Sequence, residues 1–137
     1  MKQQTPLEVL IARCRQSPDF AELDYSDLNQ PCNDGDALIH LVAMQGNPDD
    51  IDLLVRSGAR VNALGDLGFT ALHNAAMRGR SEIAQKLLDL GANPSIKNEW
   101  GQTAETVALD GGYADLAKLL RRNKYRNMQR NKKQSNK

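Results

Sequence analysis

The stretch GFTALHNAAMRG, residues 68–79, combines a capping threonine, an apolar run and a closing glycine, and it holds His73, one of only two histidines in the chain. Thirty-three residues upstream stands GDALIHLVAMQG (35–46), and thirty-three downstream GQTAETVALDGG (101–112). The leading glycines Gly35, Gly68 and Gly101 keep that step, as do the trailing Gly46, Gly79 and Gly112. His40 and His73 are also thirty-three apart, with Thr106 in the third slot. Later in each unit, DLLVRSGARVNA (52–63) matches QKLLDLGANPSI (85–96), with Gly58 and Gly91 in phase. A fixed period of this length marks a stacked array, whose units bury their apolar faces only against their neighbours.

Within a unit the pattern reads as two short helices and a loop. Thr70 and Thr103 stand at N-cap positions ahead of apolar stripes. Ala37 cannot cap, which assigns that role in the first unit to Asp36 one residue earlier. Gly46, Gly79 and Gly112 are placed to end the first helices in the left-handed conformation, and Gly58 and Gly91 to end the second. Asn47, Pro48, Asp49 and Asp50 form a helix start: a cap, a first-turn proline and two carboxylates at the positive end of the dipole. The segments 59–69 and 92–102, rich in Gly, Asn, Asp and Pro, read as turns leading to the next unit.

These motifs resemble the ankyrin repeat, G-x-T-P-L-H-x-A-A-x-x-G followed by a second helix ending L-L-x-x-G-A and a β-turn finger. Unit 68–100 carries the likeness best, through Gly68, Thr70, Leu72, His73, Ala75, Ala76, Gly79, Ile83, Leu87, Leu88, Gly91, Ala92 and Asn93. Leu38, Ala71 and Ala104 replace the proline after the cap, and Cys32, Gly65 and Asn98 replace the aspartate before the leading glycine. The resemblance implies an all-α solenoid of about four repeats over 5–121. Residues 5–32 would be a degenerate N-terminal capping repeat, followed by units 33–65, 66–98 and 99–121, the last a C-terminal cap. Within the first of these, TPLEVLIARC echoes a first-helix start, its Leu7, Leu10, Ile11 and Cys14 sharing one face. Ser17-Pro18 is expected to reopen a short helix through Phe20 and Leu23. Leu116, Leu119 and Leu120 are expected to face inward in the last unit.

Composition agrees with thin, closely stacked helices: 40% of residues are apolar but only 4% aromatic. Cys14 and Cys32 fit neither a metal spacing nor a disulfide framework, and read as reduced thiols of a cytoplasmic protein. No stretch approaches the roughly 20 apolar residues of a membrane span, and the N-terminal residues lack a signal-peptide pattern. From Arg121 onward there are eight basic and no acidic residues, leaving ten basic and seventeen acidic in 1–120. A body near −7 therefore carries a tail, 122–137, that holds most of a +8 block. Three readings of this tail stand: a solvated disordered end, a weak contact to nucleic acid or another anionic surface, or an extension of the last helix against the acidic body.

The twin phase of His40 and His73 argues for a recurring structural bracket. Within the resemblance, each bonds the cap residue and the backbone of the adjoining unit, with Thr70 and Thr103 as structural partners. No phosphate loop, dinucleotide fingerprint, H-E-x-x-H or C-x-x-C occurs. A Cys32/His40 dyad is conceivable, but the bracket already accounts for His40. The expectation is therefore no catalytic residue, metal, cofactor or small-molecule substrate, and a non-enzymatic role. The candidate site is the concave face of fingers and first helices. It draws Asp34, Asp36 and Met44 from the first unit, and Asp66, Leu67, Phe69, Met77 and Arg78 from the second. Glu99, Trp100 and Gln102 come from the third, with Leu41, Asn74, Val107 and Asp110 nearby. Aromatics, Met and Arg are the residue types enriched at binding hot spots, and only six aromatics exist to place there. The implied function is a protein-interaction scaffold acting by occlusion or tethering. A small adaptor or inhibitor fits, by analogy one of bacterial immunity or antitoxin type; the alternative is an anionic-surface regulator using the tail.

Overall fold

The computed structural model describes residues 3–135. Among these it contains seven α-helices: α1 (Pro6–Cys14), α2 (Leu38–Gln45), α3 (Pro48–Arg56), α4 (Ala71–Met77), α5 (Ser81–Asp89), α6 (Ala104–Asp110) and α7 (Ala114–Ser135). Short 3-10 turns occupy Pro18–Phe20 and Asp66–Gly68. The helices form the pairs α2/α3, α4/α5 and α6/α7, and the pairs stack: α2 on α4 on α6 in one row, α3 on α5 in the other.

Local chemistry sets the boundaries. The Thr70 hydroxyl accepts the His73 amide, and Thr103 accepts that of Thr106, so α4 and α6 start one residue later. Asn47 accepts the Asp49 amide ahead of Pro48, which starts α3. Thr5 and Glu8 exchange side-chain and backbone bonds as a capping box at α1. Gly46 and Gly79 adopt φ of +87° and +65°, which turns the chain from first helix to second without strain on a Cβ.

The stack encloses one continuous core. Ile51 and Leu54 of α3, Ile83 and Leu87 of α5, and Leu116 and Leu120 of α7 are buried against the alanine-rich inner helices. Ala43, Ala71, Ala75, Ala76, Ala104 and Ala108 are almost fully buried, and such small side chains let neighbouring helices approach closely. Leu119 is only partly buried, with Ala117 buried beside it.

Three expectations are corrected. Asp36 does not cap α2: the N-cap is Ala37 with no side-chain cap, and Asp36 reaches sideways to the next finger. The helix expected from Ser17 to Leu23 is a single 3-10 turn that ends at Phe20, where burial of the ring and the Tyr25 hydroxyl on its carbonyl redirect the chain. Finally, α1 packs against α3, with Arg13 paired to Asp50, and so extends the row of second helices instead of starting a first-helix row. Phe20, Leu28 and Cys32 from the following turns join the core.

The described part of the tail is helical. α7 runs without interruption through 121–122 to Ser135, so the charge boundary is not a structural one. Arg121 ties α7 to Glu105 of α6 at 2.8 Å, and residues 125–133 are exposed. Lys2 and Lys137 lie outside the described residues.

Candidate binding surface

The concave side is built from three fingers that repeat one hydrogen-bond scheme. The amides of Cys32, Gly65 and Asn98 donate to the carbonyls of Asp36, Phe69 and Gln102, at 2.8, 2.8 and 2.9 Å. Those of Gly35, Gly68 and Gly101 return to Cys32, Gly65 and Asn98. Adjacent fingers are cross-linked. Asp66 N–H donates to Asp36 Oδ1 at 2.8 Å, and Glu99 N–H to the Leu67 carbonyl at 3.0 Å. In the third finger Asn98 Oδ1 accepts from both Trp100 and Gln102, which supplies the turn-stabilising oxygen that an aspartate would offer. In the second finger nothing larger than glycine fits at position 65, where a Cβ would lie 2.2 Å from Asp36 Oδ1 and 2.9 Å from the His40 ring.

The histidines hold fingers to helices. His40 Nδ1 accepts the Ala37 amide at 2.9 Å, and its Nε2 lies 2.9 Å from the Ala63 carbonyl. His73 Nδ1 accepts the Thr70 amide at 3.1 Å and sits 2.9 Å from its hydroxyl, while Nε2 lies 2.9 Å from the Gln102 carbonyl. A carbonyl can only accept, so both rings carry their proton on Nε2. Each imidazole therefore joins the start of one helix to the loop leading into the next unit. Both are buried, and burial lowers the His73 pKa below its ordinary value, the Gln102 bond opposing in part. Thr106 occupies the same slot in α6 and closes a local bond with Thr103, too short to reach another finger.

Across the three fingers and helices α2 and α4 the surface dips into a depression of about 340 Å³, lined by Asp36, Met44, Asp66, Leu67, Phe69, Asn74, Met77 and Trp100. Phe69 meets Trp100 edge to face at 5.9 Å and lies 5.5 Å from the His73 ring. This stacks finger aromatics upon the bracket below. Trp100 nonetheless remains 62% exposed, with Leu67 and Met77 each 41% exposed beside it. Among the described residues Leu67 is the one non-glycine residue with positive φ, +56°. A leucine in that region is strained by roughly 1–2 kcal/mol, and here it turns its carbonyl to the Glu99 amide at the finger tip.

Seven of the eleven candidate binding residues thus come together: Asp36, Met44, Asp66, Leu67, Phe69, Met77 and Trp100. Asp34, Arg78 and Glu99 are exposed but do not line the depression. Gln102 is partly buried, its side chain held by Asn98 and by Asp110 Oδ2 at 3.0 Å. Val107, expected on the surface, is core. Asn74, also expected on the surface, is only 5% exposed, and its Nδ2 is buried with no hydrogen-bond partner among the described residues. The available signal was its phase: the equivalent positions are Leu41 and Val107, so a polar side chain there breaks an apolar column.

Two further features bear on function. Cys14 and Cys32 are free and buried, and burial raises the Cys14 pKa. No helix among the described residues is long and apolar enough to cross a membrane.

Comparison with known proteins agrees with this geometry. Human protein phosphatase 1 regulatory subunit 27 is 32% identical over 87 residues, covering 64% of this chain and 56% of that protein. A rice (Oryza sativa subsp. japonica) calmodulin-binding transcription activator, CBT, is 37% identical over 92 residues, 63% of this chain but 10% of its own length. Human NAD-capped RNA hydrolase NUDT12 is 41% identical over 68 residues, covering 50% of this chain and 15% of the hydrolase. The chain thus spans little more than half of the first of these relatives and a small part of the others. The family described as Ankyrin repeats (3 copies) matches residues 6–98 and again 39–134. The repeated helix pairs, the fingers and this match together place the chain in the ankyrin-repeat family, whose repeats are protein-interaction modules.

Proposed function

We propose that the chain acts by binding a partner protein in the concave depression, as a small adaptor or inhibitor that tethers or occludes, without chemistry of its own. The observation that carries this reading is Trp100. Its ring is large, apolar and 62% exposed, yet it is anchored by Phe69 over a buried histidine bracket. A rigid aromatic ringed by flexible Met44 and Met77 is the composition of a hot spot: area for contact, little entropy to lose, and side chains that adapt. The name of the phosphatase regulatory subunit fits a role exerted through binding. Replacing Trp100 and Met77 together with alanine should abolish capture of the partner in a pull-down and leave the melting temperature within a degree or two of wild type. Unchanged capture would end this reading.

A second reading concerns α7. Arg126, Arg130 and Lys133 recur on one face of its exposed half, around a shallow cleft with Gln129. Such a row would give weak, salt-sensitive attraction to an anionic surface. Deletion of 122–137 begins beyond Leu120, the last buried residue among those described. It should remove any steep salt dependence of binding and spare contacts made by the concave face.

A further inference from the structure

We propose that the depression receives an extended, arginine-bearing segment of the partner. Asn74 would donate to a main-chain carbonyl of that segment, and Trp100, Asp66 and Asp36 would hold the guanidinium. This rests on the concave face being the binding surface and names the chemistry it selects.

The starting point is a polar group that the free protein does not use. Asn74 is 95% buried by its 5% exposure, lines the depression, and leaves Nδ2 without a partner among the described residues. Buried amides are nearly always satisfied, so an exception calls for a physical reason. Packing is not one, because Leu41 and Val107 fill the same phase in the neighbouring units with apolar side chains. Nδ2 can only donate, so what completes it must be an acceptor, and the acceptor that every extended segment carries is its carbonyl. The atom is covered in the free protein. Met44 and Met77 line the same depression, and unbranched thioethers can swing aside to admit a chain.

Charge decides what else the segment bears. The carboxylates of Asp36 and Asp66 line the depression, Asp34 and Glu99 stand on the flanking fingers, and Asp110 lies beyond Gln102. No lining residue is basic, and Arg78, at the end of α4, lies outside the lining. Asp36 already accepts the Asp66 amide through Oδ1, which leaves Oδ2 and the Asp66 carboxylate for a ligand. An exposed indole beside carboxylates suits a planar guanidinium, which stacks and forks at once; an ammonium does only the first weakly.

The test uses a random dodecapeptide library displayed against the immobilised full chain, followed by titration of the enriched peptides. Trp100 is the only tryptophan, so its fluorescence reports binding at the site. Enriched peptides should carry net positive charge with an arginine, and changing that arginine to lysine should weaken binding about fivefold or more. Asn74→Leu should weaken binding about tenfold while the melting temperature stays equal or rises, a combination that a structural asparagine would not give. Asp66→Asn should weaken binding and flatten its salt dependence. Acidic or neutral peptides that still bind at Trp100 would overturn this chemistry and leave the concave reading standing. Peptides indifferent to the Trp100→Ala, Met77→Ala double substitution would overturn both. A lower melting temperature for Asn74→Leu with unchanged affinity would show that the amide serves the fold, and would overturn the role given to it.

Discussion

His73→Ala should detach the third finger before it unfolds the stack. Its Nδ1 accepts the Thr70 amide and lies 2.9 Å from the Thr70 hydroxyl, its Nε2 donates to the Gln102 carbonyl, and the ring is 1% exposed. Removing it breaks its two buried bonds to backbone groups at about 1 kcal/mol each. The Thr70 amide is then stranded beside an emptied space, which adds roughly 1–2 kcal/mol. The Gln102 carbonyl still accepts the Asn98 amide, so it is not left unsatisfied. The expected loss is therefore about 2–4 kcal/mol. Urea denaturation should be followed by two signals, far-ultraviolet circular dichroism for the helices and Trp100 fluorescence for the finger. Trp100 sits two residues before the carbonyl that His73 holds. In wild type the two transitions should coincide; in the variant the fluorescence midpoint should fall below the helical one, because repeat arrays lose cooperativity when an interface is weakened. A loss under about 0.5 kcal/mol with coincident transitions would refute the bracket assigned to this ring.

Two other outcomes follow from the same contacts. Gly65→Ala should destabilise by about 1–3 kcal/mol from steric overlap alone, since its φ of −102° suits any residue while the new Cβ meets Asp36 Oδ1 and the His40 ring; stability equal to wild type in the same urea titration would contradict the close approach of finger and helix. Burial depresses the His73 pKa below the ordinary 6.5, so the unfolded chain binds the proton more readily. The stabilisation is complete above pH 6.5 and is lost as pH falls from there through the folded-state value. Wild type should thus lose more stability than His73→Gln between pH 7.5 and 5; parallel curves would show that His73 does not contribute to the dependence.

The sequence by itself determined the period, and with it the helix pairs, caps and turns. Those features are local: a threonine accepts an amide three residues on, and a glycine takes positive φ wherever it stands. The strict thirty-three-residue step carries each position onto its neighbour, which is why Met44 and Met77, and His40 and His73, share a phase in the sequence. What depends on two distant segments was not legible. Asp36 looked like a cap because its nearest amides are local, yet its oxygen bonds Asp66, thirty residues on in the chain. The placement of α1 on α3 goes with the absence of a regular second helix directly after it, where Phe20 and Leu28 are held by burial rather than by periodicity. The depression itself, and the unpartnered amide of Asn74 within it, exist only once fingers and inner helices of adjacent units are brought together, because satisfaction of a polar group is a property of its surroundings and not of its residue type.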